Sequence, residues 1–280
     1  MNKCRVSIIT PSMNMLPYLK RCHASVADQT GAEVEHIVVD GASQDGTVGW
    51  LSGQADLRFI TEKDNGMYDA INKGLRIAAG DIVAYLNCDE QYLADILAYV
   101  VDYFDANRDI DILFGGALTI RPDGQLISFR KAYPCRWFYI VADHTYLLSC
   151  ATFWRKKIFL DGHHFDPSFK SAGDAEFLVQ IMRSGYRAAH VKRYLAAFTM
   201  TGENLSMVPN DHEVKRLLSM YNPLLAKVRW PLIVMRRVEK LLNGAYFRNG
   251  IIKYAIYTDD KPDIRKEFVD NSASFRWKQG

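Results

Sequence analysis

The stretch YLNCDEQY, Tyr85 to Tyr92, decides how the rest of the chain is read. It continues from Ile82, Val83 and Ala84, so a strand-forming run ends in an Asn and two adjacent carboxylates, Asp89 and Glu90. In an α/β protein, ligands bind just beyond the carboxyl ends of the strands. Carboxylate oxygens placed there suit a Mg²⁺ or Mn²⁺ ion that also holds phosphate oxygens. The alternative is a polar turn leading into a helix near Tyr92, because Asp and Asn are common turn and cap residues. The stretch alone leaves both readings open.

Outward from it, strand-like and helix-like segments alternate. Arg5 to Thr10, Glu35 to Val39, Leu57 to Ile60, Ile82 to Leu86 and Ile110 to Phe114 read as apolar strands. Between them, Leu16, Leu19, His23 and Val26 recur at helical spacing, as do Met67, Ala70, Ile71 and Leu75, and then Ile96, Leu97, Val100, Val101 and Phe104. This order predicts an α/β fold with a mostly parallel, twisted sheet flanked by helices. Parallel strands bring their ends to one edge. Thr10 to Asn14, Asp40, Asp64 and Asp89 each follow a strand there, and four polar stops in succession suggest a binding crevice. Further on, Leu118 to Ile120 and Leu126 to Phe129 flank RPDGQ, a hairpin signal with Asp-Gly at the turn.

Composition narrows the function classes. The 280 residues are 49% hydrophobic and 24% charged, as in ordinary globular chains. A net charge of +3 is too mild to argue for nucleic acid. Five scattered cysteines without a CxxC pair indicate neither a zinc knuckle nor a disulfide framework, so a reducing, cytoplasmic setting is expected. The N-terminus enters a strand directly, without a signal-peptide pattern, and no run of about 18 apolar residues marks a membrane span. His144 and His163-His164 lack a metal-binding spacing.

Five segments in order, VSIITPSMN, HIVVDGASQDGT, EKDNGMYDAINKG, GDIVAYLNCDE and FDPSFKSAGDAEF, carry a resemblance. The chain resembles the family 2 inverting glycosyltransferases of the GT-A fold, closest to bacterial members that build surface polysaccharides, over about residues 3 to 200. The resemblance implies a metal-dependent transfer of a sugar from a nucleotide-sugar donor to a hydroxyl of a surface glycan, expected to be lipid-linked. Thr10, Pro11, Ser12 and Asn14 are expected along the nucleotide, and Asp40 as acceptor of its base or ribose hydrogen bonds. Asp64 and Gly66 fall at a helix start, which favours anions, with Lys73 two turns on. Asn87, Cys88 and Asp89 match the metal-binding DxD region. Asp89 is expected to bind Mn²⁺ or Mg²⁺ directly, and Glu90 secondarily. Asp174 matches the catalytic base, with Glu176 as the fallback and a helix cap as the structural alternative. TGENLS, Thr201 to Ser206, loosely matches a loop that closes over the acceptor or the diphosphate, or is a plain polar loop. A nucleotidyltransferase and a non-catalytic nucleotide-sugar-binding scaffold are the rival functions.

The expected organisation is a GT-A domain over 1–205, split into a nucleotide half (1–115) and an acceptor half (116–205). A C-terminal helical extension follows over 206–280. Within it, Val234, Met235, Val238, Leu241 and Leu242 form one helical stripe, with Arg236, Arg237, Glu239 and Lys240 opposite. Two readings stay open for that helix: packing on the catalytic domain with a solvated charged face, or contact with an anionic membrane surface.

Overall fold

The computed structural model describes residues 5–143, 145–202, 204, 211–221, 228–247, 250–271 and 274–275. Its first half alternates as expected: β1 (Arg5–Ser12), α1 (Leu16–Ala27), β2 (Glu33–Asp40), α2 (Thr47–Leu51), β3 (Arg58–Thr61), α3 (Met67–Ile77) and β4 (Ile82–Tyr85). These four strands pair in parallel, in the order β3-β2-β1-β4. Val6, Ile8 and Ile9 of β1 and Ile37 to Val39 of β2 are fully buried, which is why their segments read as continuous apolar runs. Helix α3 lies so close to β1 that a Cβ on Gly74 would stand 2.4 Å from an Ile9 methyl.

The second half is mixed. It comprises β5 (Glu90–Tyr92), α4 (Ile96–Ala106), β6 (Ile112–Ile120), β7 (Leu126–Arg130), α5 (Trp137–Ala142), β8 (Thr152–Arg155), α6 (Lys157–Leu160), α7 (Gly173–Arg183) and β9 (Ala188–Thr199). Among the described residues one nine-stranded sheet results, β3-β2-β1-β4-β8-β6-β9-β5, with β7 on β6. Strand β8 runs antiparallel to both β4 and β6, and β5 antiparallel to β9. The expected hairpin is present, with β7 on β6 and Gly124 at φ 92° in the turn. The segment after Asp89 differs from expectation. Glu90 to Tyr92 is a strand, and the helix starts later, at Ile96. Cross-strand partners in β9, 104 to 108 residues on, override the local turn-and-cap pattern there.

The C-terminal region holds α8 (Asp211–Tyr221) and α9 (Arg229–Leu242), followed by an antiparallel hairpin of β10 (Ile252–Thr258) and β11 (Lys261–Asp270). The hairpin adds strands to a segment read as helical. It packs on one face of the sheet: Ile252, Tyr254 and Ile256 lie against Leu118 and Ile120 of β6, Phe129 of β7 and Ala197 of β9. Gln91 exchanges two hydrogen bonds with the backbone of Tyr257, and the Arg265 guanidinium pairs with Asp28. The expected boundary after residue 205 falls among residues outside the described ones.

Candidate donor and catalytic site

Register fixes the strand-end edge. Ser12 pairs with Asp40, Asp40 with Thr61, and Ile9 with Tyr85, so Asp64, Asp40, Ser12 and Asp89 follow one another along it. The loops after β1 and β2 are stapled together. The Asn14 amide donates to Ser43 Oγ (2.8 Å), the Gln44 amide to Asn14 Oδ1 (2.7 Å), and the Leu16 amide to Asp45 Oδ2 (2.9 Å). Asn14 and Ala42 take positive φ to allow this. Asp40 is fully buried. Its Oδ2 accepts from the Ser43 amide (3.1 Å), while Oδ1 has no hydrogen-bond partner among the described residues. A buried carboxylate oxygen without a donor is costly, so this one is suited to an incoming N–H or O–H. Asp64 Oδ2 lies 2.9 Å from where a Cβ on Gly41 would stand, so glycine there lets the two loops close.

Several expected residues serve the scaffold instead. Thr10 is fully buried, its hydroxyl 2.9 Å from His36 Nε2 of β2 and 3.7 Å from Cys22 Sγ of α1. Pro11 is buried, and Cys88 packs with Leu19, Val38 and Leu51, its thiol raised by burial. At the start of α3 the Gly66 amide donates to Asp64 Oδ1 (2.9 Å) and the Asn65 amide to Asp69 Oδ2 (3.0 Å), so side chains already take those N–H groups. Lys73 is held by Glu62 (2.9 Å), Asp69 (3.6 Å) and the Lys63 carbonyl (3.0 Å). It is engaged within its own helix start.

The opening stretch divides its two acids. Asp89 is half-buried at the strand end, and Asn204 Nδ2 donates to its Oδ2 (2.9 Å). Burial raises the Asp89 carboxyl, offset partly by backbone N–H and Asn204. Glu90 is fully buried; its Oε2 accepts the Asn87 amide (2.8 Å), and burial raises it strongly. That orientation departs from the expectation of a secondary metal ligand. Asp89 ends the turn before β5, whereas Glu90, the first residue of that strand, folds its carboxyl back onto the Asn87 amide of the same turn. Among the described residues, no three His, Cys, Asp or Glu side chains group as a metal cage. His144 and residues 203 and 205–206 of TGENLS lie outside the described residues, but Asn204 ties that loop to Asp89.

Asp174 sits in the first turn of α7, its Oδ1 accepting the Ala175 amide (2.8 Å) and its own amide donating to the Tyr68 hydroxyl (3.1 Å). Burial raises its carboxyl to about 6, against the pull of those N–H groups. Burial raises the Tyr85 hydroxyl at the end of β4, and the charges of Asp174 and Glu90 add to the shift, so α7 and the strand end share one electrostatic environment. Glu176, the fallback base, is buried and hydrogen-bonded to the Tyr221 hydroxyl of α8, facing away from the crevice.

Two supports were not legible as such. Glu213 of α8 accepts the amides of Lys170 (2.6 Å), Ser171 (3.0 Å) and Ala172 (2.8 Å), capping the entry to α7 from another helix. Tyr68 donates to the Ser171 carbonyl (3.3 Å) and stacks on Phe165, which stacks on Phe177 at 4.2 Å. Tyr68 lies inside a motif quoted from the sequence, but nothing local marks a contact 106 residues away.

Comparisons with known proteins agree with this geometry. The chain is 31% identical over 179 residues to an uncharacterised glycosyltransferase of Mycobacterium tuberculosis, covering 62% of this chain and 68% of that one. It is 24% identical over 257 residues to a PGL/p-HBAD biosynthesis glycosyltransferase of Mycobacterium bovis, covering 89% and 96%. The fold matches Staphylococcus aureus TarS 1-349 in complex with UDP-GlcNAc, at TM-score 0.60 and 19% identity, over 86% and 74% of the two chains. It spans 45% of the longer TarS chain. It also matches the Pyrobaculum calidifontis mannosyltransferase PcManGT in complex with GDP-Man and Mn²⁺, at TM-score 0.54 and 17% identity, over 87% and 79%. The glycosyl transferase family 2 profile matches residues 7–154, more than half of the sequence, and the chain therefore belongs to that family.

Proposed function

We propose that this glycosyltransferase moves one sugar from a nucleotide-sugar to a hydroxyl of a lipid-linked surface glycan, with inversion at the anomeric carbon and a divalent metal at Asp89. The observation that carries the reading is the Asp174 carboxyl, raised by burial to about 6 at a helix N-terminus beside the strand-end crevice. A base with that pKa is ionised at neutral pH yet able to hold a proton. Asp174 takes the proton of the acceptor hydroxyl as that oxygen bonds to the anomeric carbon. The bond from that carbon to the diphosphate breaks, and its electron pair leaves with the phosphate oxygen. Asp40 Oδ1 accepts a hydrogen bond from the donor's base or ribose.

The acidic side chains present fit a metal that arrives with its substrate. Mg²⁺ is commonly held by one or two protein carboxylates plus substrate phosphates, and Asp89 supplies one such carboxylate. Glu90, turned inward, does not join it. The ion, when bound, neutralises charge on the leaving diphosphate. The donor-bound and Mn²⁺-bound structural relatives support this assignment. The test is release of nucleoside diphosphate from UDP- and GDP-sugars with Mn²⁺. Turnover by the unaltered protein and its loss in Asp174→Asn and Asp89→Asn are expected; nucleotide binding without turnover on any acceptor pool would sink the reading.

A further inference from the structure

Opposite its exposed apolar stripe, α9 closes a cavity of about 230 Å³ against β7 and the residues after it. One water needs roughly 10–15 Å³ of such space, so the cavity admits a polyatomic group. Arg130, Lys131, Arg236, Arg237 and Lys240 line it, and among the described residues no carboxylate does. Rings form the rest of the wall, including Tyr133, Tyr146, Tyr246 and Phe275. None of Asp40, Asp64, Asp89 or Asp174 borders it.

The cations are not equally satisfied. Arg236 is paired with Asp143, and Lys131 Nζ donates to the carbonyls of Gly244 (3.3 Å) and Phe247 (3.0 Å). Lys240 meets only ring faces among the described residues, with Nζ 4.6 Å from the Tyr246 centroid and 5.9 Å from those of Tyr133 and Phe275. Burial, followed by Arg236 and Arg130, lowers its pKa to about 8. A half-buried ammonium crowded by guanidinium groups is stabilised by an anion. Guanidinium forks match phosphate oxygens, and an ammonium adds a point charge.

We propose that this cavity binds a phosphate or diphosphate group, at a subsite separate from the strand-end carboxylates. For a lipid-linked acceptor, a reading this part rests on, that group is the phosphate between glycan and lipid. The binding itself is tested on the full chain, in EDTA, by calorimetric titration with inorganic pyrophosphate. Saturable binding is expected, weakened at least tenfold in the Arg237→Gln/Lys240→Gln variant and kept in Lys240→Arg and in Asp89→Asn. Equal binding by the double variant, or loss in Asp89→Asn, overturns the proposal, as does no binding by the unaltered protein. Vesicles carrying phosphatidic acid, compared with phosphatidylglycerol at equal charge, separate the sources. A preference for phosphatidic acid that pyrophosphate competes away assigns the site to a lipid-borne phosphate. Equal recruitment alongside pyrophosphate binding assigns it to a soluble phosphate ester. Acceptor-free nucleotide-sugar hydrolysis is expected to be unchanged in the double variant, so failure of this site and failure of the donor reading give different results.

Discussion

Asp174 is pulled in opposite directions by its surroundings, and both have measurable consequences. Burial raises its carboxyl to about 6, whereas the Ala175 amide and the helix start favour the anion. As a base it must be ionised, so kcat/KM is expected to fall about tenfold per pH unit below about 6 and to level off above it. Asp174→Asn is expected to reduce turnover by at least about 100-fold, the lower end for a positioned base. The same raised pKa makes a stability prediction. The folded state holds this proton at pH values where the unfolded chain, with an Asp pKa of about 3.9, has lost it. Stability therefore declines as pH rises from about 4 to about 6. Asp174→Asn removes that penalty, so its Tm should exceed that of the unaltered protein at pH 7.5 and approach it at pH 4. A lower Tm at both pH values would show that the carboxylate is a net structural support instead.

At the scale of elements, α7 is positioned by groups outside itself. Glu213 accepts three consecutive amides ahead of the helix, which pulls its carboxyl below the usual range despite partial burial. Its stabilising effect is fully present above the unfolded Glu value of about 4.3 and is lost as pH falls through the lower folded value. Glu213→Ala should cost about 1 kcal/mol, as for loss of a cap, read as a shift in the urea midpoint. Gly173 gives a second handle, because a Cβ there would stand 2.6 Å from the Tyr68 ring. Gly173→Ala should displace Tyr68 from the Asp174 amide and lower kcat more than it raises KM, measured by steady-state kinetics on a nucleotide-sugar. Strand β5 teaches a related lesson. The residues Glu90 to Tyr92 look like a turn and a cap until β9 pairs with them.

At the scale of the molecule, α9 is mounted with its charged face inward. Arg236 is 8% exposed and paired with Asp143, Glu239 pairs with Arg136, and Arg229 Nε donates to the Ala142 carbonyl (2.6 Å). Trp230, Val234, Val238, Leu241 and Leu242 face solvent, Leu242 at 80% exposure. Of the two arrangements left open for this helix, packing through its apolar stripe is thus corrected: the stripe is outside. An exposed apolar row with the exposed Arg237 beside it suits an anionic bilayer surface. Among the described residues no helix is long and apolar enough to cross a membrane. Co-sedimentation with anionic vesicles at low salt is expected, and Val234→Glu/Val238→Glu should abolish it. Equal recovery with neutral vesicles would argue against a membrane role for this face.

What the sequence determined by itself was the period of its elements and the polar residues at strand ends. Continuous apolar runs marked β1, β2 and β4, and parallel pairing then placed Asp40, Asp64 and Asp89 on one edge. Turn chemistry marked the β6–β7 hairpin. What only the tertiary structure decided was direction: that Thr10 and Glu90 point inward, that Lys73 is held by Glu62, that Glu213 caps a helix 40 residues before it, and that α9 presents its leucines outward. The physical reason is range. Periodicity and turn preference act over a few residues, whereas the facing of a side chain is set by burial and hydrogen-bond partners that the chain brings together from a hundred residues apart.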